Sequence, residues 1–175
     1  MSDYDPFAPI YDEWAAGMTE DVPFYVELAR EADGPIVELA VGTGRVAIPV
    51  ARETGKRVIG IDLSPAMLKI ARERVAEAGV DVELRRGDMR DFELGEPAAL
   101  VYSPFRALLH LPAWHDRRRV LERVAAALRA GASHGTRSSS IRTSRRETTA
   151  SRGRTRARRR CGSTSSTRPA TTGST

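Results

Sequence analysis

The chain has a single cysteine, Cys161, in 175 residues. One thiol closes no disulfide and offers no C-x-x-C pair, so a disulfide scaffold and a cysteine-based metal site are both excluded. Its three histidines show no metal-ligand spacing either. Long apolar runs are missing: none approaches the ~20 residues of a membrane span. The first residues, MSDYDPF, are acidic and lack the apolar stretch of a signal peptide. These absences predict a cytoplasmic protein with no membrane partner and no bound metal. Acid is scarce in one segment only. From His134 to Thr175 there are eleven arginines against one acid, Glu147, whereas residues 1–133 carry 17 basic and 22 acidic side chains. The net charge of +5 therefore describes the tail, and the rest of the chain is mildly acidic at −5.

What is present begins with Ile36-Val-Glu-Leu-Ala-Val-Gly-Thr-Gly44. The apolar, β-prone start suits a strand buried on both faces. The two glycines allow a sharp turn and a close ligand approach before a helix from Arg45, the entrance of a nucleotide-binding βα unit. Arg57–Ile61 predicts a second strand ending at Asp62. Ser64 and Pro65 then open a helix with Leu68, Ala71 and Val75 facing inward, and Gly79 closes it. Residues 80–84 and 98–102 predict two further strands, and a helix from about Trp114 to Arg129 carries Val120, Leu121, Val124, Ala125 and Leu128 on one side. Alternating strands and helices predict an α/β fold with a parallel sheet and right-handed crossovers. Residues 3–33 predict a helical cap, the most aromatic part of the chain. Asp21 can cap its second helix, and Tyr4, Tyr11 or Trp14 can wall or cover a ligand.

The turn alone leaves the nucleotide open. Gly42-Thr-Gly-Arg-Val-Ala47 with Asp62 twenty residues on also fits the dinucleotide fingerprint, which keeps an NAD-dependent oxidoreductase in play. Glu38 argues against it. A carboxylate in the strand would repel a pyrophosphate but favours a ligand bearing an ammonium and a sulfonium. Asp62 can accept both hydroxyls of a ribose, at roughly 1.5–3 kcal/mol per charged hydrogen bond. Leu63 can lie on a purine face. Asp88 can accept from an adenine amine, and Met89 can pack on the ring.

On these residues the stretch 36–130 resembles a class I, Rossmann-like S-adenosylmethionine-dependent methyltransferase. Glu38-Leu-Ala40-Val-Gly42-Thr-Gly44 matches the family's acid–glycine motif, with Ala40 in place of its first glycine. Val58 to Leu68 matches the second motif and Asp88-Met89 the third. Leu100 to Leu111 resembles the fourth-strand exit, and Leu121 to Gly131 the helix that leads to the family's fifth strand. The resemblance implies S-adenosylmethionine as cofactor and a Rossmann-like parallel sheet with helices on both faces. It places Glu38, Gly42 and Gly44 at the methionine end, Asp62 and Leu63 at ribose and adenine, and Asp88 and Met89 at adenine. Ser103 lies near the donor and Tyr11 in the lid. The implied acceptor is a small molecule of unspecified kind, and no catalytic residue is assigned. His110, set between leucines, reads as a structural residue or a half-exposed helix end rather than a base, and Arg117–Arg119 as the wet face of a helix.

The cofactor domain is expected to end at residue 133. Nineteen of the next 42 residues are Ser or Thr, and Ile141 is their only large aliphatic. Such a segment cannot bury enough apolar area to offset its ordering entropy, and disorder is expected over 134–175. Its charge leaves nucleic-acid binding as a further reading confined to the tail. The preferred explanation is a frame shift near residues 131–133 of a GC-rich gene: read two bases on, TCN serine codons at 138–140 encode apolar residues. The C-terminal strands of the fold are then missing or scrambled. A sheet ending at its fourth strand is expected to be poorly stable and weakly active.

Overall fold

The computed structural model describes residues 4–136. A short 3-10 turn at Asp5–Phe7 leads into α1 (Ala8–Ala15), followed by α2 (Val22–Glu31), β1 (Ile36–Leu39), α3 (Ala47–Thr54), β2 (Val58–Asp62) and α4 (Pro65–Ala78). Then come β3 (Val82–Arg86), β4 (Ala98–Ser103), a 3-10 turn at Ala107–His110, α5 (Trp114–Ala127) and β5 (Leu128–Thr136).

The five strands form one parallel sheet in the order β3-β2-β1-β4-β5. β1 and β4 are buried along their whole length, so apart from Glu38 and Ser103 they read as apolar runs rather than alternating ones. Each face of the sheet carries its own core. On one, Tyr25 and Val26 of α2, Val50 of α3 and Leu68 of α4 pack on Ile36, Val58 and Leu100. On the other, Val120 and Val124 of α5, with Phe92, cover Val37, Ile59 and Val101. This is the expected Rossmann-like architecture with helices on both faces. Its strand order reverses between β1 and β4, where the two strand ends diverge and open a crevice at their carboxyl ends.

Several local expectations are met by the predicted chemistry. The Ser64 hydroxyl accepts from the Met67 N–H at 3.1 Å with Pro65 at the first helical position, and Gly79 ends α4 at φ 61°. Others differ. Asp21 precedes α2 but makes no cap; its carboxylate takes both terminal nitrogens of Arg45 at 2.7 and 2.8 Å, a stronger partner than a backbone N–H. On α5, Leu121 is exposed, because the buried stripe narrows to Val120 and Val124.

The larger difference is at the sheet's far side. Beyond the four strands read from residue pattern, β5 runs parallel to β4 from Ala98 to Ser103 and continues to Thr136. A strand ladder uses backbone N–H and C=O groups that every residue here possesses, so it forms without the apolar periodicity that would have announced it. Residues 137–175, with the frame-shift and tail readings, lie outside the described residues.

Candidate cofactor site

The crevice at the β1–β4 switch point holds a cavity of about 410 Å³. The carboxyl ends of β1 and β2, the segment after β3, the β4 exit and the N-terminal cap all line it. Of the residues selected from sequence, Tyr11, Glu38, Gly42, Asp62, Leu63, Asp88 and Met89 meet there. Gly44 and Ser103 do not line it. Gly44 turns the chain at φ 83° with Ile48 packed beneath it, and Ser103 is buried, donating to the Leu39 carbonyl at 3.2 Å.

The turn is stitched to the neighbouring strand. Val41 N–H donates to the Ile61 carbonyl at 3.1 Å. One Asp62 oxygen accepts from Gly42 N–H and the other from Ser64 N–H, each at 2.8 Å. Burial raises the Asp62 carboxyl above its usual range, and those backbone donors oppose the rise. Ala40, standing at the family's glycine position, has φ 58°, a left-handed conformation that a Cβ disfavours.

Glu38 is the deepest charge-bearing group. Register places it beside Tyr102 on β4, whose hydroxyl donates to Oε2 at 2.8 Å, and Tyr25 of α2 stacks on Tyr102 at 4.9 Å. Glu38 is 1 % exposed, and this desolvation pushes its carboxyl up to about 8 despite the Tyr102 hydrogen bond and the nearby Arg45 charge. A cationic ligand brought beside the carboxyl would add to the Arg45 charge and favour its ionised form.

The N-terminal cap reaches this site through three side chains. The Ser64 hydroxyl donates to Asp5 at 2.5 Å. The Thr43 hydroxyl, fully buried in the turn, donates to Asp12 of α1 at 2.6 Å, and Arg74 of α4 also donates to Asp12 at 2.8 Å. The Tyr4 hydroxyl hydrogen-bonds His110 Nε2 at 2.6 Å. Tyr4 and His110 both line the cavity, and His110 is the exposed last residue of its 3-10 turn, as the helix-end reading has it. Beside it Phe105 holds φ 57° and meets Trp14 edge-on at 6.3 Å.

Sequence reasoning passed over Arg45, Arg90, Phe105 and Asp116, all of which line the cavity. Arg90 left a signal, since an arginine two residues after Asp88 can turn back on it. Asp116 is fifty-four residues beyond Asp62 and only the fold brings it near. Among the described residues no His, Cys, Asp and Glu cluster could hold a metal, and no helix is long and apolar enough to cross a membrane.

Residues 36–131 match the family model described as a methyltransferase domain. Over 137 residues the chain is 34 % identical to dTDP-4-amino-2,3,4,6-tetradeoxy-D-glucose N,N-dimethyltransferase of Saccharopolyspora spinosa, covering 73 % of this chain and 53 % of that protein. Among solved structures, the CcbJ methyltransferase from Streptomyces caelestis superposes with a TM-score of 0.67 at 29 % identity, over 74 % of this chain and 54 % of that one. The glycopeptide N-methyltransferase MtfA, solved with S-adenosylmethionine, superposes with a TM-score of 0.61 at 29 % identity, over 67 % and 53 %. The chain thus spans about half the length of these relatives, and less of some others.

Proposed function

The chain belongs to the S-adenosylmethionine-dependent methyltransferase-domain family, and we propose that it transfers a methyl group from that cofactor to an amine on a small-molecule acceptor. One observation carries this reading: three carboxylates, Glu38 inside β1, Asp62 ending β2 and Asp88 just past β3, line a single cavity beside the glycine turn. That set suits a ligand with an ammonium, a sulfonium, a ribose diol and an adenine amine. It does not suit a pyrophosphate, which argues against the dinucleotide alternative. The amine acceptor rests on the N-methyltransferases among the chain's relatives.

The residues present fit the cofactor. Glu38 and Gly42 would hold its methionine end, Asp62 and Leu63 its ribose and purine, and Asp88 and Met89 its adenine. When bound, S-adenosylmethionine supplies a methyl group already activated on a positive sulfur, so alignment and exclusion of water are the protein's main tasks. Tyr4 and Tyr11 close the cavity from the cap side. At the β4 exit, His110 is the group best placed to take the proton shed by an amine, with Tyr4 fixing its ring.

The test is calorimetric titration with S-adenosylhomocysteine and with NAD, followed by methyl transfer from labelled S-adenosylmethionine to a panel of amino sugars and simple amines. Binding of the first ligand and labelling of an amine are the expected results. Stabilisation by NAD alone would sink the reading, and labelling of hydroxyl acceptors only would remove the amine.

A further inference from the structure

We propose that Arg90 is the positioning residue of the adenine subsite, holding the Asp88 carboxylate in one fixed plane while Asp116 braces the guanidinium from the other side. The proposal rests on the proposed function, in which Asp88 receives the adenine amine.

The Asp88 carboxylate is already heavily engaged. Oδ1 accepts from the Arg90 backbone N–H at 2.8 Å, Nε lies 3.0 Å from both oxygens, and Nη2 donates to Oδ2 at 2.6 Å. A carboxylate offers about four acceptor positions; because the Nε–H is one hydrogen shared between both oxygens, three N–H groups leave room for one more donor from a ligand. The remaining arm of Arg90 is not idle. Its Nη1 donates to Asp116 Oδ1 at 3.2 Å, in the first turn of α5. All three side chains line the cavity.

A planar guanidinium between two carboxylates resists rotation in a way that a lysine cannot reproduce. It removes the torsional freedom of Asp88, whose short side chain would otherwise turn its free position away from the crevice. It also holds Asp88 below the usual carboxylate range, with a smaller contribution from Arg119. The brace ties the segment after β3 to α5, two parts of the chain that no backbone ladder connects. Adenine recognition in this protein is therefore shared between two elements, and its selectivity for an amine over a hydrogen at the 6-position depends on Arg90.

The experiment is calorimetry on the full 175-residue chain with two probes, S-adenosylhomocysteine and its 6-deamino analogue, which carries hydrogen in place of the ring amine. The wild-type chain is expected to prefer the first by about tenfold or more, the worth of one hydrogen bond to a charged group. Arg90→Ala should weaken S-adenosylhomocysteine by about tenfold and leave the deamino analogue within about twofold, collapsing the preference. Arg90→Lys and Asp116→Asn should each lose part of it. These two variants carry the test if Arg90→Ala does not melt cooperatively. An equal loss for both probes would reduce Arg90 to a structural role and overturn the proposal. So would tighter S-adenosylhomocysteine binding by the alanine variant, which would make Arg90 an obstruction. A wild-type chain without any preference would overturn the adenine assignment itself, a failure distinct from that of Arg90.

Discussion

At the scale of single residues the site stores two costs, and both can be measured. Ala40 sits at φ 58° where the family's motif has glycine. A Cβ in the left-handed region costs roughly 1–2 kcal/mol, part of which glycine returns through its freer unfolded chain. Ala40→Gly is expected to raise stability by about 1 kcal/mol, read as a shifted urea midpoint at constant slope. A variant that is less stable would show that the turn is not strained. The second cost is Glu38. Its carboxyl is raised to about 8 in the fold against 4.5 for the free group, so the folded chain holds a proton that the unfolded chain has released. The stability contribution is complete below pH 4.5 and lost as pH rises towards 8, on the order of a few kcal/mol at most. Glu38→Gln mimics the protonated form and keeps an acceptor for Tyr102. Its melting temperature should match the wild type below about pH 5 and exceed it by several degrees at about pH 9, while its affinity for S-adenosylmethionine falls. Parallel melting curves across that range would contradict the assignment.

Among the elements, α1 is the one whose role no strand or helix pattern could announce. It is eight residues long and too short to be stable alone, so its position depends on what it touches. The contacts are polar and aimed at the site: Asp12 joins the buried Thr43 hydroxyl of the turn to Arg74 of α4. The Arg74 pair is more than a third exposed and worth little, whereas the Thr43 hydrogen bond is sheltered and worth about 1 kcal/mol. Asp12→Ala should therefore cost about 1 kcal/mol globally but loosen α1 selectively. Hydrogen exchange there should speed up, and S-adenosylhomocysteine should bind several-fold more weakly, because Tyr4 and Tyr11 ride on this segment. Unchanged exchange in α1 with unchanged affinity would refute the coupling. The contrast with other elements shows what a sequence can reveal. β1, β2 and α4 were legible because burial on both faces and a Ser-Pro cap write themselves into residue type. Asp62 and Asp88 were legible because they lie at strand ends. Arg45 and Asp21 were not, since their pairing spans twenty-four positions and replaces a local cap that was chemically plausible. Arg90 was hidden by the ordinariness of an arginine beside an acid.

For the whole molecule the question is whether the sheet in residues 4–136 is sufficient for a cooperative fold. An uncovered β4 would leave an apolar, fully buried strand with a free ladder, which favours aggregation. β5 removes that argument for its own length by pairing Leu100 to Ser103 with Ser133 to Thr136. The residues of β5 carry no apolar pattern that announces the ladder, although the resemblance puts a fifth strand after the helix it matches to Leu121–Gly131, and this strand sets how much chain the fold requires. Two shortened chains separate the alternatives. One ending at residue 136 keeps β5 and should retain a cooperative melt, and S-adenosylhomocysteine at about 100 times its Kd should stabilise it by roughly 2.7 kcal/mol. One ending at residue 127 loses the strand and exposes the β4 edge. It should aggregate or melt without a cooperative transition, and the same ligand should not stabilise it, although every residue assigned to the cofactor is still present. Equal melts and equal stabilisation for the two would mean that β5 contributes nothing and that four strands suffice. Loss of binding in both would place part of the required structure beyond residue 136.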